Sequence, residues 1–170
     1  KVSPWRYEVT VDNAQFRAVM SSVPTSVVVV TGMSESGAPI GATIGSFTSV
    51  SLEPLLVGFL PTINMVAWQE IRKTGKFCVN VLSADQEDAC WAFASNKDDR
   101  FEGIKWSKSP AGMPMLDGVV AWIDCDIHSE TELGDHYFVA GLVTAMEAIH
   151  NAAPAMIFYR NAVGTPSIKA

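Results

Sequence analysis

Apolar positions along this chain follow two rhythms, short β-branched or continuous runs and stretches at helical spacing. Every residue from Val27 to Thr31 is β-branched, and the run stops at Gly32. Ser34-Glu35-Ser36-Gly37 supplies turn chemistry before Pro39-Ile40-Gly41 resumes an extended course, which predicts a hairpin. Phe47 to Ser51 alternates large and small residues, Leu55 to Leu60 is an apolar run, and Pro54 breaks the ladder between them. Two adjacent strands are expected there. Phe77 to Leu82 predicts another strand. Trp122–Ile127, Tyr137–Val143 and Met156–Tyr159 predict three more, the first two joined by a polar connection through Gly134 and Asp135.

Helical spacing occurs in three places. Phe16, Val19 and Met20 share one face of a segment whose start is capped by Asp12 or Asn13, and that face predicts packing against a sheet. Met65, Ala67 with Trp68, and Ile71 recur between Asn64 and Lys73, with Gly75 as the stop signal. Ser83 and Gln86 stand at capping-box spacing before a segment expected to run helically to Ala94.

Many strands and few short helices, without regular strand–helix alternation, predict a mainly β fold: an antiparallel barrel decorated by short helices. With 170 residues and 48% hydrophobic positions, the chain is expected to form one domain over residues 1–170. No apolar stretch approaches the roughly twenty residues of a membrane-spanning helix, so no membrane association is expected. The net charge of −6 lacks the clustered Lys and Arg of a nucleic-acid surface. An anionic ligand must be gripped locally, by a few donors. No secretion signal is evident at the start of the sequence. Three separated cysteines, Cys78, Cys90 and Cys125, without a C-x-x-C pair, suit free thiols in a reducing cytoplasm and argue against structural zinc. A Rossmann domain is disfavoured because no G-x-G-x-x-G follows the first strand.

The candidate chemistry begins with Thr43, Gly45, Ser46, Phe47, Thr48, Ser49, Val50 and Ser51, where hydroxyls alternate along an extended segment and Gly45 admits close backbone approach. Two readings stand side by side, a set of uncharged donors for a phosphate and a strand with one solvated face. Asn80, between Val79 and Val81, needs partners if buried, from a ligand or from a neighbouring loop. Among three histidines, only His136 has a local context, Gly134-Asp135-His136; His128 and His150 read as surface or turn residues, and none has metal-ligand spacing.

Four ordered motifs carry a resemblance. GATIGSFTSVSLEPLLVGFL from Gly41, GKFCVNVLSADQ from Gly75, DDRFEGIKW from Asp98 leading into GMPMLDGVVAWIDCDI, and LGDHYFVAGLV from Leu133 together resemble the flavin reductase family with the FMN-binding split barrel. IFYR at Ile157 to Arg160 completes the pattern, which spans Phe16 to Arg160. The resemblance implies a Greek-key split barrel and an NAD(P)H:flavin oxidoreductase, using NADH or NADPH to reduce FMN or FAD. It implies that reduced flavin passes to a separate oxygenase, and that two copies form a homodimer.

By the same resemblance the segment from Thr43 to Ser51 meets the flavin phosphate, Asn80, Val81 and Leu82 border the ring, and Arg100 and Phe101 supply a phosphate contact and a wall. Gly134, Asp135 and His136 are implied to lie beside the nicotinamide, with His136 as its positioning residue. Gly45 departs from the larger residue common in relatives, and in Pro61 to Trp68 the residues Ile63, Met65 and Ala67 stand where hydroxyl and basic residues are often found. Rival readings are a flavin-binding electron carrier or sensor without turnover, and a split-barrel oxidoreductase using pyridoxamine phosphate or a deazaflavin.

Overall fold

The computed structural model describes residues 10–97, 99–149 and 153–167. A first helix, α1 (Asn13–Met20), precedes a short strand β1 (Thr25–Ser26), the hairpin β2 (Val28–Met33) and β3 (Pro39–Ile44), and a second hairpin of β4 (Thr48–Leu52) and β5 (Leu55–Phe59). Helix α2 (Val66–Thr74), strand β6 (Lys76–Val81) and helix α3 (Glu87–Ala94) follow. The second half is β7 (Trp106–Lys108) with β8 (Pro114–Leu116), the long ribbon β9 (Ala121–Leu133) and β10 (His136–Ala148), and finally β11 (Ile157–Tyr159) and β12 (Ala162–Gly164).

Seven strands form one antiparallel sheet in the order β3-β2-β6-β9-β10-β5-β4, open at both edges, as in a barrel that has been split. Alternate residues of β2 enter different clusters: Val29 joins Cys78, Phe93 and Met156, while Val28 and Val30 join Trp68, Ile71 and Phe77. The strand is therefore buried on both faces, which is why its sequence is β-branched without polar alternation. Helix α3 covers the first cluster through Cys90 and Phe93, and α2 the second through Trp68 and Ile71. Phe59, Trp68 and Phe77 meet edge to face, with centroids 5.1–6.0 Å apart.

Close packing of rings on the sheet depends on missing side chains. A Cβ at Gly58 would lie 2.9 Å from the Phe138 ring, one at Gly41 would lie 2.8 Å from Phe93, and one at Gly141 would collide with Phe77. These glycines serve close approach, not unusual backbone angles. Gly75 does the opposite: it ends α2 at φ 74°, in the left-handed region that glycine adopts freely.

Three sequence expectations need correction. Helix α1 forms and is capped by Asp12, whose side chain accepts from Gln15 N at 2.7 Å, but it does not pack on a sheet. None of its residues is buried, and Phe16 and Val19 are 61% and 63% exposed. Its apolar stripe has no cover among the described residues. Helix α3 starts at Glu87, not at Ser83, because Ser83 is committed to a bridge with Ala155. The box survives in part, with Gln86 Oε1 accepting from Ser83 N at 3.0 Å. Finally, β9 and β10 each run 13 residues, well past the apolar cores that announced them. Cross-strand pairing continues along both extensions, with register shifts at Ala140/Gly141 and Val143/Ala145.

Candidate functional site

The hydroxyl-rich segment lies at the turn between β3 and β4 and along β4 itself. Strand β4 is an edge, so alternate backbone groups on it point away from the sheet. Thr48 pairs with Gly58 and Ser49 with Val57, a register that sets Ser46 opposite Leu60. Ser46 Oγ accepts from Leu60 N at 2.9 Å and donates to Leu60 O at 3.4 Å, replacing the backbone ladder one step beyond the strand. Thr43 Oγ1 donates to Cys90 O at 2.7 Å, Thr48 Oγ1 to Ser49 O at 3.2 Å, and Ser51 Oγ accepts from Glu53 N at 3.2 Å. Ser49 is exposed and its hydroxyl has no hydrogen bond among the described residues. Around Gly45 the space is open apart from Thr25: a Cβ would meet Thr25 Oγ1 at 3.2 Å. Phe47 is half-buried and Val50, at the register shift of the β4–β5 hairpin, is exposed.

The turn Gly134-Asp135 joins β9 to β10, with Gly134 at φ 64°. His136 Nδ1 lies 2.7 Å from Asp135 Oδ1. The bond to His136 is the main reason the exposed Asp135 carboxyl sits below its ordinary pKa. Ile63 N donates to Asp135 O and Tyr137 N to Pro61 O, each at 3.0 Å. The loop after β5 therefore touches Ser46 through Leu60 and the His136 turn through Pro61 and Ile63. Two motifs ninety positions apart in the sequence converge on four consecutive residues, Leu60 to Ile63.

Other expected residues go elsewhere. Asn80 is fully buried: Nδ2 donates to Val29 O (3.2 Å), Thr31 Oγ1 (3.0 Å) and Pro114 O (3.3 Å), and Oδ1 accepts from Leu116 N (2.8 Å). The amide is a clamp between β2, β6 and β8, so two neighbouring strands, not a loop or a ligand, satisfy it. Leu82 is likewise core, and Val81 O accepts from Val120 N inside the sheet. Arg100 Nη1 donates to Gly41 O (3.1 Å) and Phe93 O (3.2 Å), and Phe101 packs edge to face on Phe93 at 4.8 Å. Both line a cleft of about 510 Å³ with Ile40, Val66, Glu70 and Lys97. His128 is exposed, as expected; His150 and Asp98 lie outside the described residues. The cysteines are buried free thiols, and no cluster of potential metal ligands occurs among the described residues. No helix there is long and apolar enough to cross a membrane.

Comparison with known proteins decides the class. Residues 20–167 match the family model described as flavin reductase like domain. The chain belongs to the flavin reductase family. A flavin reductase of Pseudomonas putida is 47% identical over 154 residues, covering 91% of this chain and 90% of that protein. The flavin-dependent monooxygenase reductase subunit HsaB of Rhodococcus jostii is 40% identical over 150 residues, 88% of this chain and 76% of that one. The Streptomyces globisporus NADH:FAD oxidoreductase SgcE6, solved with NAD and FAD fragments, superposes with a TM-score of 0.87 at 34% identity, covering 94% and 95% of the two chains. The fold is thus the split barrel of flavin reductases, and the protein is a flavin reductase working with a flavin and a nicotinamide nucleotide.

The residues present fit such a group. An uncommitted Ser49 hydroxyl, the outward-facing backbone of an edge strand and the open space at Gly45 form an uncharged donor set for a phosphate, beside apolar Phe47 and Val50. What the motifs did not announce is a polar cluster behind the histidine turn. Glu130 accepts from Trp68 Nε1 and from Arg72 Nη2, both at 2.7 Å, and the Arg72 guanidinium lies 4.9 Å over the Tyr137 ring. Partial burial works against the Arg72 charge, yet Tyr137 and Glu130 outweigh it and leave its pKa raised. The available signal was Trp68 and Arg72 four apart on one helix face, with a glutamate in a strand that otherwise reads as solvated.

Proposed function

We propose that this flavin reductase transfers hydride from NAD(P)H to FMN or FAD and releases the reduced flavin to a separate flavin-dependent oxygenase. One observation carries the reading: the hydroxyl segment and the Gly134-Asp135-His136 turn meet at the loop Leu60–Ile63. Bound flavin supplies the hydride acceptor. The protein's part is positional, because hydride transfer needs donor and acceptor carbon and nitrogen near contact and needs no protein acid or base. Ser49, with the backbone of Gly45 to Ser51, holds the phosphate of the flavin; Phe47 and Val50 face its ring. His136, oriented by Asp135 through the 2.7 Å bond and by the left-handed turn at Gly134, fixes the nicotinamide carboxamide or phosphates. Arg100 and Phe101 present the more distant cleft to the rest of the nucleotide.

A homodimer fits this reading. Leu52 is 88% exposed on edge strand β4, next to exposed Val50 and Leu55, and a second copy would cover them beside the phosphate site. Three buried free thiols suit a cytoplasmic protein. The relatives named as monooxygenase reductase subunits support the oxygenase partner, and SgcE6 makes NADH with FAD the first pair to assay. Steady-state oxidation of NADH and NADPH, each with FMN and with FAD, is expected to give turnover with at least one pair. Flavin binding without nicotinamide oxidation in all four combinations would overturn the reading in favour of an electron carrier.

A further inference from the structure

Helix α2 holds the histidine turn by two routes. The first is through the loop: Gln69 Nε2 donates to Ile63 O at 2.6 Å, and Ile63 N donates in turn to Asp135 O at 3.0 Å. The second is through the ribbon. Trp68 and Arg72 both grip Glu130, a β9 residue paired with Val139, three positions before the Leu133–His136 pair that closes the hairpin. Strand alternation sets Glu130 and Tyr137 on one face of the ribbon, toward α2, and His136 on the other. Arg72 Nη1 to Gln69 Oε1, at 3.4 Å, ties the two routes together.

We propose that Gln69, with Arg72 and Glu130, is a positioning residue for nicotinamide reduction: it sets the place of the Asp135-His136 turn without touching either nucleotide. The proposal rests on the reading that His136 orients the nicotinamide. Its physical basis is the arrangement of bonds at Ile63. This residue is a two-sided connector, accepting from the helix and donating to the turn, so removing the helix bond frees the loop that carries the turn. The Arg72–Glu130 pair is partly buried, with side chains 32% and 17% exposed, and a second donor, the Trp68 indole, leaves little freedom to the carboxylate. Such a pair specifies one ribbon position where a solvated glutamate would allow several. Small displacements matter here, since a misplacement of about 1 Å between reacting groups can cost on the order of a hundredfold in rate.

The test uses Gln69→Leu and Gln69→Glu in the full chain, with His136→Ala in parallel. Gln69→Glu keeps an oxygen for Arg72 but cannot donate to Ile63 O, so it separates the loop bond from the helix-surface bond. Both Gln69 variants are expected to speed hydrogen exchange at the Ile63 and Tyr137 amides by about tenfold or more. They are also expected to lower the hydride-transfer rate or raise the nicotinamide KM by roughly 10–100-fold, with dissociation constants for FMN and FAD within about twofold of the parent. Unchanged exchange at those amides, or faster exchange with parental hydride transfer while His136→Ala is impaired, would overturn the proposal alone. Parental hydride transfer in His136→Ala would instead remove the reading on which it rests. A general loss of flavin affinity together with nicotinamide affinity would mark Gln69 as merely structural and also overturn the proposal.

Discussion

Ser46 Oγ holds both backbone groups of Leu60, accepting from its N–H at 2.9 Å and donating to its carbonyl at 3.4 Å. A side chain thus continues a hairpin ladder beyond its last backbone pair, and the hydroxyl is spent on the fold. The four neighbouring hydroxyls divide accordingly: Thr43, Thr48 and Ser51 have protein partners and Ser49 has none among the described residues.

Ser46→Ala and Ser49→Ala are therefore expected to diverge. Ser46→Ala should cost about 0.5–1.5 kcal/mol of stability through the lost hairpin bonds, measured by urea unfolding. Ser49→Ala should leave stability unchanged and weaken flavin binding by about 1.5–3 kcal/mol, or roughly 10–150-fold, as loss of a bond to a charged phosphate does. Equal flavin affinities for Ser49→Ala and the parent would place that hydroxyl in solvent.

His136→Ala is expected to keep the fold and the flavin dissociation constant while slowing single-turnover flavin bleaching by NADH or raising its KM. Asp135→Asn should reproduce part of this effect. Because His136 holds the Asp135 carboxyl below its ordinary pKa, that group stays ionised as pH falls from 7 to 5, and its contribution is lost only below that window, as protons compete for it. A loss of activity between pH 7 and 5 that disappears in Asp135→Asn would contradict this assignment.

Asn80→Ala should destabilise the protein without a specific effect on either nucleotide. It orphans the buried Leu116 N–H and removes a donor shared by Val29, Thr31 and Pro114, at about 1–3 kcal/mol for each group left unsatisfied. Denaturant midpoints and flavin titrations, run together, separate the two possibilities.

The thiols should resist alkylation at pH 8 until the protein unfolds. Burial, reinforced by neighbouring Asp124 and Asp126, pushes the Cys125 thiol up to about 12, and burial with Asp124 pushes Cys78 up as well. Thiolate, the reactive form, is therefore scarce in the native state. Labelling of Cys78 or Cys125 at the rate of a free thiol would refute the packing described for β6 and β9.

The strand runs and the glycine stop of α2 were legible because they depend on neighbours in sequence: β-branched Val27 to Thr31, Pro54 between two strands, Gly75 after Ile71. The GDH turn was legible for the same reason. Asn80 was ambiguous in the sequence because its partners lie on Val29, Thr31, Pro114 and Leu116, and nothing local selects them over a ligand. The Gln69–Ile63–Asp135 connection was invisible, since one of its two bonds joins positions seventy-two apart through backbone atoms that every residue carries. Helix α1 is the reverse case: its stripe is legible from residue spacing, but spacing alone does not say what the stripe packs against, and among the described residues it packs on no sheet.

The pairing of bare glycines with large side chains, Gly141 under Phe77, Gly58 under Phe138 and Gly41 under Phe93, makes each couple a single unit of mutational change. Gly141→Ala in the parent should cost about 1–3 kcal/mol by overpacking. The same change beside Phe77→Leu should cost much less, because the smaller side chain vacates the space the new methyl enters. The two substitutions are non-additive in the favourable direction, so a route through sequence space that alters either partner first crosses a destabilised intermediate that altering both together avoids.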